Sequence, residues 1–226
     1  MRWGRWPVLQ VALDLTSAEE ALKIAREVVR LENVWLEAGT PLIMSEGMRV
    51  VRRMRELFPE AFIVADVKII DAGRLESSIA IEAGANMVTI SGSAGAETIS
   101  EVIDSCHEEG AKAAIDLGDS QDPLKAAQES SMLGVDVMLY HIGYDKQYKG
   151  MRVVDRVDII RKLAEFSSSS NTIVAAAGGV KLEDIPALMR AGAKIVVVGR
   201  SITAASNPGR AAKRFLEAIK RCKESC

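Results

Sequence analysis

Eight short apolar runs, each about the length of a β-strand, alternate along the chain with longer amphipathic stretches. They are Val8 to Asp14, Val34 to Gly39, Phe62 to Lys68, Met87 to Ser91, Lys112 to Leu117, Val137 to His141, Thr172 to Ala177 and Ile195 to Gly199. Runs of this length predict strands, and the longer patterns between them predict helices. The first helix is expected at Ser17, a cap with Glu20 placed to bond back to it; later ones are expected near Ser45, Ala72, Ala96, Pro123, Val153, Leu182 and Pro208. The stretches 83–90, 133–140 and 191–198 share one layout, in which a glycine closes a helix and a strand follows. Glycine suits that place because it adopts the left-handed conformation cheaply. The intervals between these echoes vary too much for a solenoid. Eight βα units in 226 residues therefore predict an α/β protein, a single-domain (β/α)8 TIM barrel; a doubly wound open sheet is the less regular alternative.

No Pro- or Ser-rich linker divides the chain, so residues 1–226 read as one domain, with 1–7 an N-terminal extension and 222–226 a frayed tail. The 29 Lys and Arg nearly balance the 31 Asp and Glu, which removes the basic surplus expected of a protein that binds nucleic acid or an anionic membrane. The apolar runs fall far short of the roughly 20 residues that span a bilayer. The N-terminus has no apolar core of a secretory signal, so a cytoplasmic location is expected. Cys106, Cys222 and Cys226 are odd in number and irregularly spaced, which argues against a disulfide framework or a zinc site.

Parallel strands covered on both faces are nearly all apolar, so each charge within one needs a reason. Here Asp14, Glu37, Asp66, Lys68, Asp116 and His141 all fall at or near the C-terminal ends of expected strands. In a barrel those positions share the rim where active sites are built. Asp66 and Lys68 are two apart, so strand alternation sends both side chains to one side. A structural ion pair, with Asp71 merely capping the helix at Ala72, is the simpler alternative. His141 is placed for acid/base work or substrate bonding, whereas His107 reads as a surface residue at a helix end. After the seventh and eighth strands come Gly178, Gly179, Gly199 and Arg200. Such loops commonly hold a phosphate, with arginine adding a charged fork, although the glycines alone would also serve tight turns. A phosphorylated small substrate is the resulting expectation. Trp3, Trp6 and Trp35 read as packing residues, the first two placed to cover the barrel bottom.

Several motifs together resemble the orotidine monophosphate decarboxylase suprafamily, and within it the 3-hexulose-6-phosphate synthases. They are Val11-Ala-Leu-Asp14, Leu36-Glu-Ala-Gly-Thr-Pro-Leu-Ile43, Asp66-x-Lys68-x-x-Asp71, His141-x-Gly-x-Asp145 and the Gly178-Gly179 and Gly199-Arg200 loops. The resemblance covers nearly all of the chain after residue 7. It implies a homodimeric, Mg2+-dependent aldehyde-lyase that joins formaldehyde to ribulose 5-phosphate, or runs that reaction backwards, through an enediolate. It also implies that Glu37 and Asp66 hold the metal, that Lys68 faces the reacting carbons, and that Asp71 reaches the active site of the other subunit. Asp14 and Asp116 would contact substrate hydroxyls or shuttle a proton, with His141 assisting. Tyr144 stands where 3-keto-L-gulonate-6-phosphate decarboxylases place an arginine, which counts against that sister activity. Decarboxylation of that sugar acid or of orotidine 5'-monophosphate is the enzymatic alternative, and a catalytically silent sugar-phosphate sensor the non-enzymatic one.

Overall fold

A computed structural model describes residue 3, residues 6–168 and residues 170–224; the side chains of 223 and 224 are not described. Its strands are β1 (Val8–Leu13), β2 (Val34–Ala38), β3 (Ile63–Ile69), β4 (Met87–Ser91), β5 (Lys112–Asp116), β6 (Val137–His141), β7 (Ile173–Ala177) and β8 (Ile195–Val198). Each pairs in parallel with the next, and β8 pairs with β1 through Val8 opposite Ile195, so the sheet closes into the expected barrel. Helices follow the strands and cover the barrel outside. The echo is visible in the backbone, where Gly84, Gly134 and Gly192 have φ of 102°, 91° and 104° after the helices they follow.

Local differences from the sequence reading have local causes. The segment after β2 is helical from Thr40 rather than Ser45, with Pro41 in its first turn where no amide bond is lost, and Gly47 at φ 65° separates it from a second helix, Arg49–Leu57. Two short helices, Tyr144–Tyr148 and Arg200–Thr203, lie directly after the rim ends of β6 and β8. They are too short to show a periodic pattern. The C-terminal helix Pro208–Glu224 carries Cys222, while Cys226 lies outside the described residues.

Two apolar layers hold the barrel. One fills the space between strands and helices; the other fills the interior with Val8, Ala12, Val64, Ala114, Leu139, Ala175, Ile195 and their neighbours. At the N-terminal end of the strands the interior is closed by aromatic rings. Trp35 stacks on Phe62 with centroids 3.9 Å apart, Trp3 stacks on both, and Trp6 meets Trp35 edge-on. The ammonium of Lys112 lies 5.0 Å from the Trp3 ring centroid. With the bottom sealed by apolar area, the opposite rim is left for polar chemistry.

Candidate active site

At the C-terminal rim, β3 does not run on as a regular strand. Its pairing with β4 shifts register between Ala65 and Ile69, and Lys68 takes φ 50°, a left-handed conformation costly for a side chain other than glycine. The Lys68 amide donates to Thr89 Oγ1 at 2.9 Å. The bulge, rather than plain strand alternation, aims this lysine. Its Nζ lies 2.8 Å from both oxygens of Asp66 and 2.9 Å from Oδ2 of Asp116. Asp66 is fixed further by hydroxyls: Thr89 donates to Oδ1 and Thr40 to Oδ2, both at 2.8 Å. Burial alone would lower the pKa of Lys68, but Asp66 and Asp116 outweigh it and hold the amine well above the ordinary lysine value. Its two carboxylate partners favour the cationic form. Strained backbone at a functional rim is a recurrent pairing.

Asp116, at the end of β5, extends the chain of charges. Its Oδ2 also lies 3.1 Å from His141 Nδ1 at the end of β6, and its Oδ1 accepts from the Gly118 amide at 2.9 Å. Burial opposes ionisation of Asp116, yet the bonds and charges of His141 and Lys68 carry its carboxyl below the usual carboxylate range. For His141, burial would lower the imidazole, but Asp116 more than offsets it, and Lys68 (lowering) and Asp66 (raising) act as smaller neighbouring charges; the net result is a raised value. Asp14 also faces this histidine. The two shifts set a window. Asp116 contributes stability above about pH 4 that is lost as pH falls through its depressed folded value; His141 contributes stability below about 6.5 that is lost as pH rises through its raised folded value. Chemical denaturation of the protein and of His141→Asn across pH 5 to 9 is expected to show the alkaline decline in the parent and a flatter profile in the variant. Parallel profiles would contradict the pairing.

Glu37 in β2 is buried. Burial, then the like charges of Asp66 and Asp14, raise its carboxyl well above the usual range, opposed by a hydrogen bond from Gln10 and by Lys68. Gln10 Nε2 donates to Glu37 Oε2 at 2.6 Å, while Gln10 Oε1 is buried and has no partner among the described residues. Asp14 is raised too, by burial and then by Asp66. Its carboxylate is wedged against backbone: a Cβ placed on Gly39 would lie 2.1 Å from Asp14 Oδ1, and one on Gly199 would lie 3.2 Å from Oδ2. Three carboxylates, Asp14, Glu37 and Asp66, thus lie close enough to raise one another's cost of ionisation. Among the described residues no three His, Cys, Asp or Glu side chains form a ready metal cage. The oxygen-only set of Glu37 and Asp66, with an orphaned amide oxygen beside it, fits a hard cation that completes its shell with water and ligand oxygens.

Across the rim, β7 ends in Gly178 and Gly179, with φ of 107° and 66°. A side chain on Gly178 would place its Cβ 2.4 Å from the Ile142 carbonyl oxygen, so only glycine lets this turn pass the end of β6. Arg152 packs against Gly179 and bonds both oxygens of the buried Asp184 at 3.0 Å, which in turn accepts from the Lys181 amide at 2.8 Å. Ser201, next to Arg200, donates to the Val180 carbonyl at 2.7 Å and ties the β8 loop to the β7 loop. The structure therefore brings Asp14, Glu37, Asp66, Lys68, Asp116, His141, Gly178, Gly179, Gly199 and Arg200 to one rim. Asp71 is elsewhere: exposed beyond β3, it accepts from the Ala72 amide at 2.8 Å. Sequence reasoning passed over Thr40, Thr89 and Gln10. Gln10 carried a signal, as a polar residue inside an apolar strand; Thr89 gave none, since threonine is common in strands, and Thr40 lies beyond β2 at the start of a helix.

A family model described as "Orotidine 5'-phosphate decarboxylase / HUMPS family" matches residues 7–215. The chain belongs to that family. It is 34% identical over 211 residues to the 3-hexulose-6-phosphate synthase of Bacillus subtilis (strain 168), covering 93% of this chain and 98% of that protein. A crystal structure of a 3-hexulose-6-phosphate synthase superposes with a TM-score of 0.86 at 36% identity, covering 94% of this chain and 99% of the other. A KGPDC from Streptococcus mutans, solved in complex with D-R5P, superposes with a TM-score of 0.88 at 28% identity, covering 96% and 98%. Among the described residues no helix is long and apolar enough to cross a membrane.

Proposed function

We propose that this protein is a cytoplasmic, Mg2+-dependent aldehyde-lyase of the 3-hexulose-6-phosphate synthase type, interconverting ribulose 5-phosphate plus formaldehyde and 3-hexulose 6-phosphate. The observation that carries the reading is the Lys68 ammonium, shared by Asp66 and Asp116 on the same rim as Arg200 and the Gly178–Gly179 turn. Its full-length similarity to 3-hexulose-6-phosphate synthases supports the choice of substrate. The phosphate is gripped by Arg200 and the two glycine loops, remote from the reacting bonds, which orients the sugar without altering its electronics. Asp14 meets sugar hydroxyls. His141, held by Asp116, takes the proton from C1; the electron pair left behind forms an enediolate whose charge Lys68 stabilises. C1 then attacks the carbonyl carbon of formaldehyde, and the new alkoxide takes a proton back from His141. Glu37 and Asp66 would hold Mg2+, which when bound polarises the sugar oxygens.

Incubation of the protein with ribulose 5-phosphate and formaldehyde is expected to consume formaldehyde with magnesium and not with chelator. Full turnover in chelator would remove the metal from the proposal. Release of carbon dioxide from 3-keto-L-gulonate 6-phosphate or orotidine 5'-monophosphate, with no formaldehyde consumption, would favour the decarboxylase alternative, which the likeness to KGPDC keeps in view.

The same reading includes a homodimer. Ile70, Leu75 and Ile79 are 59%, 64% and 47% exposed and sit with Asp71 on the turn and helix after β3, Leu75 and Ile79 one helical turn apart. An apolar stripe of this kind next to a functional rim suits burial against the same stripe of a second copy, with Asp71 directed across to the partner's rim. Leu75→Glu with Ile79→Glu is expected to give a folded monomer in sedimentation and to lose most turnover. An unchanged mass would exclude this face.

A further inference from the structure

Arg200 is not a loose surface arginine. Its guanidinium carbon lies 4.7 Å from the ring centroid of Tyr144 and 5.7 Å from that of Tyr148. The two rings meet edge to face at 4.8 Å, with their hydroxyls 3.0 Å apart. Between them in sequence, Gln147 accepts from Arg200 Nη2 at 3.0 Å, and its own Nε2 donates to the Ile142 carbonyl at 2.7 Å. That second bond fixes which end of the amide faces the arginine. Both tyrosines are well exposed, at 54% and 70%, and the helix that carries them is only five residues long. As packing groups, two such rings contribute little to the core.

We infer that Tyr144, Gln147 and Tyr148 are positioning residues that hold Arg200 ready for the substrate phosphate. The inference rests on the proposed phosphate role of Arg200. A guanidinium offers its faces to aromatic rings and its in-plane edges to hydrogen bonds, so stacking on Tyr144 and one bond to Gln147 leave further N–H groups for a bidentate grip on an anion. A free arginine gives up rotamer entropy on binding, and one already clasped gives up less. The clasp also begins three residues after His141, so the groups that hold Arg200 and the proton-handling histidine lie at one end of β6 while the arginine itself follows β8.

The test pairs kinetics with a binding measurement that needs no turnover. For Tyr144→Leu with Tyr148→Leu, loss of both ring faces is expected to raise KM for ribulose 5-phosphate about tenfold, with kcat changed less than about twofold, and to weaken calorimetric binding of inorganic phosphate by a similar factor. Gln147→Leu should act in the same direction and more weakly. Tyr144→Phe with Tyr148→Phe keeps the faces and should restore parent values of both. If the leucine pair lowers only the melting temperature, leaving KM and phosphate binding intact while Arg200→Ala raises KM and abolishes phosphate binding, the clasp is structural and the inference is overturned, with the phosphate role standing. If Arg200→Ala itself leaves phosphate binding unchanged, the phosphate role fails and the inference falls with it.

Discussion

Lys68→Met is expected to lower kcat by about a thousandfold or more, the scale on which removing a preorganised charge opposite a developing anion acts. The same change leaves Asp66 and Asp116, both buried, facing one another without their shared cation. Breaking a buried pair from one side typically costs about 3 kcal/mol, so the variant should also melt well below the parent. The two effects separate by measurement: single-turnover rates report the first, and denaturant titration the second. Lys68→Arg keeps the charge and should recover much of the stability, yet little of the rate, because the Nζ position is set by the left-handed backbone at this residue. A Lys68→Met enzyme within tenfold of parent kcat would dismiss the lysine from the chemistry.

The second large effect is expected at Glu37. In metal-free buffer Glu37→Gln should be as stable as the parent or more so, because the amide removes a charge that burial, Asp66 and Asp14 all disfavour. Activity should nevertheless fall by about three orders of magnitude, as expected if Glu37 is one of the carboxylates that would hold the proposed metal. Added magnesium supplies a readout independent of turnover: it should raise the melting temperature of the parent and not of the variant, since only a state that binds the ion gains from it. Equal shifts in both proteins would separate Glu37 from the metal. A residue whose removal stabilises the fold while abolishing activity is one retained for function.

The positions of most rim residues were legible because charge inside a buried parallel strand is conspicuous. Asp66, Asp116 and His141 each follow apolar residues, and the (β/α)8 reading sends all of them to one end. The aiming of Lys68 was not legible. Nothing in Ile63-Val-Ala-Asp-Val-Lys-Ile-Ile70 marks a bulge, since valine, isoleucine and lysine all favour φ below zero, and the left-handed turn is imposed by tertiary contacts such as that to Thr89. The clasp on Arg200 was hidden for another reason: a five-residue helix between β6 and the next long helix has no periodicity to detect. Asp71 was placed correctly after its strand, but what it touches in an assembly depends on a second chain. Cysteine carried little: Cys106 is buried, and burial first, then Asp136, pushes its thiol up to about 12, which leaves it an inert core residue.

The aromatic floor has a practical consequence. The three tryptophans of this chain gather at the sealed end, with Trp3 and Trp6 packed on Trp35. Intrinsic emission will therefore monitor whether the N-terminal segment is seated and the cylinder shut, and will stay nearly silent when ligand enters from the far side. Titrations of sugar phosphate or magnesium call for a different optical signal, and Tyr144 and Tyr148, beside Arg200, are where nature has already put one.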